Sequence, residues 1–374
     1  MARNHNIRFC DNNFAELISA SVDYSSQLST FPFSNAINKF RSKVWKPSGY
    51  FLITASSNDL IYINDGSNKT ITLTAGEYAT PVLMAAHIQT QLNASSSGWT
   101  VSYSSTTFKF TISRSSSATL RFSVTTTSTW NDLGFMLSTD VIHTSWAAEE
   151  QRNHMYEFAT FDMGYAATIT FFAVIAPLDQ VFPLSSSATI KLQANNLPQW
   201  TSPPLDLTIS RLDGGLFRFL DDQDDTAYRY WRFYYQDKYN TLGSEGVQFG
   251  HIYVGDYTTF TDRGISHGYD KAIIDPSTVS VSESGAMYFD TKTKYSSFEG
   301  VELQILERDD KDFLETLFQT KGKHTPFYVS LDPLNQYTDY LDELTKYVVF
   351  EDSPKFKHIF RDMFSTTVRF RELI

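Results

Sequence analysis

A chain of 374 residues is too long for one small sandwich and suits about two or three domains. With 41% hydrophobic and 15% aromatic residues it can fill real cores, which excludes global disorder. The net charge of −11 excludes a nucleic-acid surface built on clustered Lys and Arg, and the single cysteine, Cys10, excludes an intrachain disulfide or a cysteine metal site.

Residues Met1–Asn12 show no basic-then-apolar leader, and no apolar run approaches the roughly 18 residues of a membrane span. The expectation is a chain folded in a cytosol, without membrane insertion. From Phe14 to Tyr50 short apolar pairs alternate with Ser and Asn, and Pro47 and Gly49 mark a turn. Leu60-Ile-Tyr-Ile-Asn then reads as a strand running into a tight turn at Asp65-Gly66, with Thr70-Ile-Thr-Leu-Thr as its hairpin partner.

A helix is predicted over Pro81–Asn93. Thr80 can cap it, Pro81 fits its first position, and Met84, Ile88 and Leu92 form its buried stripe. Between Ser95 and Thr129 more than half the residues are Ser or Thr. Nevertheless Trp99/Val101/Tyr103 and Phe108/Phe110/Ile112 alternate cleanly, which fits strands with a hydroxylated open face.

Further strands are predicted at Phe158–Gly164, Thr168–Ile175 and Ala188–Ala194, followed by a loop, Asn195–Pro204, that carries Trp200. From Tyr228 the aromatics alternate, so Trp231, Phe233 and Tyr235 share one face and Tyr230, Arg232 and Tyr234 the other. Val247–Val254 is the next predicted strand, with a bulge expected at Gly250. Beyond Phe260, strands are expected at Met287–Asp290, Phe298–Leu306, Phe327–Leu331, Lys346–Phe350 and Ser365–Leu373. A helix over Lys311–Thr320 is expected to be capped by Asp309 or Asp310, to end before Gly322 and to bury Phe313, Leu314, Leu317 and Phe318.

Little of this carries chemistry. The acidic run Asp221-Asp-Gln-Asp-Asp225 offers the oxygens a hard cation wants, but without the Gly and Glu spacing of an EF-hand loop it reads as a solvated turn. The histidines lack metal-ligand spacing, nucleophile-elbow and phosphate-loop motifs are absent, and no spacing singles out a glycosidase pair among 42 carboxylates. No catalytic residue, metal or cofactor is expected. Trp200 and Tyr239 lie in expected loops, where each can either stack on a sugar ring or fold back onto the core.

Phe33-Ser-Asn-Ala with Ser42-Lys-Val-Trp45, Phe161-Asp-Met-Gly164, Ile169–Ile175, Ala188–Ala194, Tyr228–Phe233 and Val247–Gly255, in that order, resemble the core of discoidin-like (galactose-binding-like) sandwiches. Phe51–Arg152 falls inside that series. Its segments Ile61–Gly66, Thr70–Tyr78, Trp99–Ile112 and Leu133–Phe135 are similar to small modules of tailed-phage virion proteins. Asp275-Pro-Ser, Met287–Asp290, the Lys311–Thr320 helix and Val368–Leu373 look like the C-terminal part of phage tail and baseplate proteins. One cysteine cannot make the disulfide that often joins the ends of discoidin domains.

The resemblance implies a mainly β chain with two short helices. It would comprise a discoidin-like jelly-roll sandwich (1–50 plus 153–258), an inserted α+β domain (51–152) and a C-terminal β-rich assembly domain (259–374). It further implies a non-enzymatic structural protein of a tailed-phage virion, made in the host cytoplasm and placed at the distal tail or baseplate. Its partners would be copies of itself in a ring of three or six and other tail proteins and fibres, with no nucleic acid. The alternative is an adsorption module contacting host surface glycans through Trp200 and Tyr239.

Overall fold

The computed structural model describes residues 7–373 apart from 18–21, 26, 29, 48–50, 79, 105, 150–153, 179, 222–225, 238–246, 261–268 and 334–340. Strands hold 48% of the chain and helices 14%, so the fold is mainly β, as expected. Besides the two predicted helices, the described residues contain two single-turn ones, Phe14–Leu17 and Leu341–Leu344. Four residues are too short for a sequence period to show.

Two sheets face each other across the first core. One has the order Leu205–Thr208, Thr189–Asn195, Tyr228–Asp237, His154–Ala167 and Val22–Tyr24. The other contributes Gly215–Phe219, Phe171–Ile175 and His251–Thr259. Alternation sends Ile190, Leu192, Ala194, Trp231, Phe233 and Tyr235 inward, where they meet Phe172, Val174, Ile252 and Val254. Trp45, 0% exposed, sits in the same core although its strand-like partner is far along the chain. An isolated bridge, Trp45 to Phe249, joins them.

The predicted Val247–Val254 strand is observed at His251–Thr259 instead. Gly250 precedes it and forms no bulge. A Cβ there would lie 2.5 Å from the Ala176 carbonyl oxygen and 2.8 Å from Pro177 Cα, so close backbone approach explains the glycine.

Strand Arg8–Asn13 was not anticipated, and it organises the molecule. It pairs antiparallel with His251–Thr259 on one side and with Phe327–Ser330 on the other. Through it the sandwich sheet runs on into Phe327–Ser330, Thr345–Phe350, Met363–Glu372, Tyr295–Leu306 and Asp270–Ile274, and Lys357–Phe360 pairs beside Met363–Glu372 to complete ten strands. The boundary expected near residue 258 is therefore spanned by a continuous ladder. Side chains of the bridging strand alternate: Phe9 enters a core with Phe298, Leu314, Phe327 and Phe370, and Cys10 enters another with Phe171, Tyr253, Tyr328 and Tyr347.

Residues 51–148 have a core of their own. The predicted hairpin forms between Leu60–Asn64 and Asn68–Thr72. These join Lys109–Leu120, which also pairs with Trp99–Ser104 and Val141–Ala147. The helix spans Pro81–Ser95, Thr80 Oγ1 accepts from Leu83 N at 3.2 Å, and Met84, Ile88 and Leu92 are fully buried. Phe108 stands just before its predicted strand in a left-handed turn, φ 54°.

The C-terminal helix spans Arg308–Lys321, with Leu314 and Leu317 buried. Its N-cap is Glu307, which makes no side-chain cap, so the expected Asp309 or Asp310 cap is corrected. Both aspartates lie in the first turn, where their charge complements the exposed N–H groups.

Candidate functional site

The outer face of the five-stranded sheet carries the side chains that alternate away from the core. In Thr189–Asn195 these are Thr189, Lys191 and Gln193; in Tyr228–Asp237 they include Arg232, Tyr234 and Gln236. The register places Gln193 opposite both Asp206 and Arg232, aligning three polar residues across three strands. Gln193 Nε2 donates to Asp206 Oδ1 at 3.0 Å, and Arg232 Nε donates to Gln193 Oε1 at 2.9 Å. Lys191 Nζ meets Asp206 Oδ2 at 2.8 Å. Partial burial pushes the Asp206 carboxyl up, but the bonds from Lys191 and Gln193 outweigh it and hold the group below the ordinary aspartate range.

The loop carrying Trp200 folds over this row. The Arg232 guanidinium lies 4.5 Å from the indole centroid, so the ring is held by a cation–π contact at the edge of a groove of about 870 Å³. Thr201, Ser202 and Pro203 continue one wall, and Thr54 reaches it from the chain segment just after Phe51–Ile53. Trp200 is half-buried against the sheet surface and does not join the hydrophobic core. Tyr239, the other candidate, lies outside the described residues.

The remaining sequence candidates are dispersed. Asp221 accepts from Tyr257 Oη at 2.7 Å and pairs with Arg8 at 2.7 Å, while the rest of its acidic run lies outside the described residues. His87 Nε2 accepts from Thr74 N at 3.1 Å. His251 is buried, with Nδ1 3.1 Å from Tyr328 Oη and Nε2 3.6 Å from Glu16. Among the described residues no three His, Cys, Asp or Glu side chains gather as metal ligands, and no helix is long and apolar enough to cross a membrane.

A second feature was half expected: the predicted Met287–Asp290 strand forms with those bounds, but its partner was not foreseen. Strands Thr278–Val281 and Met287–Asp290 form a two-stranded ribbon apart from the large sheet. Val279 opposes Phe289 and Val281 opposes Met287, so all four share one face, and each is at least 57% exposed. Residues directly opposite in an antiparallel pair point to the same side, so this face is wholly apolar. The signal was present in the apolar i, i+2 pairs flanking Ser282–Gly285, but only the register shows that the pairs coincide. No protein-family model matches the chain, and no curated protein matches it.

Proposed function

We propose that this chain is a structural protein of a tailed-phage virion, placed at the distal tail or baseplate and built to assemble with copies of itself in a symmetric ring of three or six. In this reading the two-sheet unit is a discoidin-like sandwich, residues 51–152 are an insert within it, and residues 259–374 mediate assembly. The observation that carries the reading is the uncovered apolar face of Val279, Val281, Met287 and Phe289.

An isolated two-stranded ribbon is marginally stable in water, and a contiguous exposed apolar face marks an interaction surface. A neighbouring copy is the occupant that a cyclic assembly supplies, because each subunit then donates one ribbon and receives another. The order of phage-like segments in the sequence supports placement in a tail particle.

The test is the mass of the purified full chain by light scattering across a concentration series, beside a Val281→Asp/Phe289→Asp variant. The expected result is a trimer or hexamer that falls to monomer in the variant with its unfolding midpoint unchanged. A chain that stays monomeric throughout and is missing from purified particles would overturn the proposal.

A further inference from the structure

We infer that the hairpin tip at Phe360–Met363 is the acceptor for the ribbon of a neighbouring copy, so that the chain assembles head to tail. The inference rests on the assembly proposal and adds the surface that receives the ribbon. The hairpin turns through Arg361 and Asp362, and Phe360 stands directly opposite Met363. The two side chains therefore share a face, and they are 63% and 38% exposed. They line a notch of about 730 Å³ between the hairpin tip and the start of the Arg308–Lys321 helix. Arg308 Nη2 meets Asp362 Oδ1 at 2.8 Å and joins the two walls. An apolar floor inside a charged rim is the anatomy of a protein interface.

A single strand separates donor from acceptor. Tyr295–Leu306 pairs at its first residue with Ile274, where the ribbon leaves the sheet, and at its last residue with Phe364, beside the notch. At about 3.3 Å per residue, its 12 residues hold the two ends roughly 35 Å apart. The ribbon strands have 4 residues each, so they are about 13 Å long and cannot return to the notch of their own chain. With an apolar donor at one end and an apolar acceptor at the other, the matching contact lies between copies. Such a heterologous contact closes into a ring when its rotation allows.

The charges match as well. Around the ribbon Asp275 pairs with Lys294 and Asp290 with Lys292, which leaves Glu283 at the exposed turn without an ion pair among the described residues. At the notch Arg308 and Asp362 neutralise each other, and Glu307 and Asp309 lie beside the N–H groups that begin the helix. Arg361, at the tip, has no carboxylate partner among the described residues, and its guanidinium stands 5.8 Å from the Phe360 ring. Its backbone holds φ 45°, a left-handed conformation that favours glycine or asparagine in a two-residue turn. An arginine at that strained place has a role when its guanidinium meets Glu283 of the neighbouring copy.

The experiment is light scattering on the full chain and its variants over a concentration series, with folding checked by far-UV circular dichroism. Phe360→Asp, at an exposed side chain, is expected to raise the concentration of half-assembly about tenfold or more. Arg361→Glu and Glu283→Arg should each raise it about threefold or more, and the double reversal should restore it. Arg361→Gly relaxes the turn, so it should weaken assembly while leaving the fold at least as stable, which a merely structural role for Arg361 would not do. Mixing the Val281→Asp/Phe289→Asp chain with the Phe360→Asp chain supplies one intact ribbon and one intact notch, and should give a one-to-one dimer where each alone is monomeric. An oligomer that the ribbon variant dissolves but Phe360→Asp and both reversals leave untouched would overturn this inference and keep the assembly proposal. A chain that never assembles would overturn both.

Discussion

Trp45 and Phe249 exchange both backbone hydrogen bonds, Trp45 N to Phe249 O at 2.9 Å and Phe249 N to Trp45 O at 3.0 Å. Their rings pack 5.5 Å apart, and Phe33 meets Trp45 edge-on at 4.9 Å. This contact ties the chain before residue 51 to the chain after residue 246 across the core. Trp45→Ala is expected to destabilise the protein by about 3–5 kcal/mol, the usual cost of removing a buried aromatic. Denaturant unfolding followed by far-UV circular dichroism checks it; a loss below about 1 kcal/mol would mean that the core closes without the indole.

Gly255 is the point where the bridging strand Arg8–Asn13 presses closest. A Cβ at Gly255 would stand 2.0 Å from the Asn12 carbonyl oxygen and 3.0 Å from the Tyr253 ring. Gly255→Ala should therefore push the strands apart at a cost of about 1–3 kcal/mol. Hydrogen exchange at Phe9 and Cys10 should speed up more than exchange in Leu60–Asn64, which lies in a separate core.

Acid should weaken the junction around His251. Burial pushes its imidazole below the ordinary value, Glu16 opposes that shift, Arg41 adds to it, and Tyr328 and Tyr347 face the ring. With the folded value lowered, the unfolded chain takes up the proton first as pH falls below about 6.5, so stability is complete above that pH and declines below it. Glu16 acts lower: burial raises its carboxyl, but the nearby His251 imidazole and the bond from Asn13 outweigh this and hold it down, so its contribution fades as pH falls below the ordinary glutamate range. Asp11 and Asp256, whose carboxyls burial pushes up, act in the opposite sense in acid. The unfolding midpoint is expected to fall between about pH 7.5 and 5.5 in the parent and to stay flatter in His251→Gln. Equal slopes would assign the effect to other groups.

Thr80 holds the first turn of the Pro81–Ser95 helix through its bond from Leu83 N. Thr80→Ala should cost about 1 kcal/mol, and Thr80→Ser much less, since the serine hydroxyl caps as well. Thermal unfolding of the two variants side by side gives the difference.

Local structure was legible where one face of an element is open to water. The hairpin at Asp65-Gly66, the Met84/Ile88/Leu92 stripe and the Trp231/Phe233/Tyr235 face all announce themselves by period. Arg8–Asn13 did not, because both of its faces are buried: Phe9 and Cys10 are each 0% exposed, so no polar alternation marks the strand. The groove was half legible. Trp200 stood out as a loop aromatic, but its neighbours Gln193, Asp206 and Arg232 come together only through strand register, which local sequence does not encode. The same holds for the ribbon's apolar face.

The placement of Arg8–Asn13 also sets a timetable for synthesis. Asn13 bonds to Ile252, 239 residues later, and Lys321 reaches back to the Asp11 carbonyl across 310 residues. On the ribosome this segment emerges well before both of its flanking strands. Until residues 327–330 have left the exit tunnel, at least one edge of the segment lacks its native partner and can template pairing with a neighbouring nascent chain. The slowest and most aggregation-exposed step in making this protein is therefore expected to be the wait of Arg8–Asn13 for Phe327–Ser330.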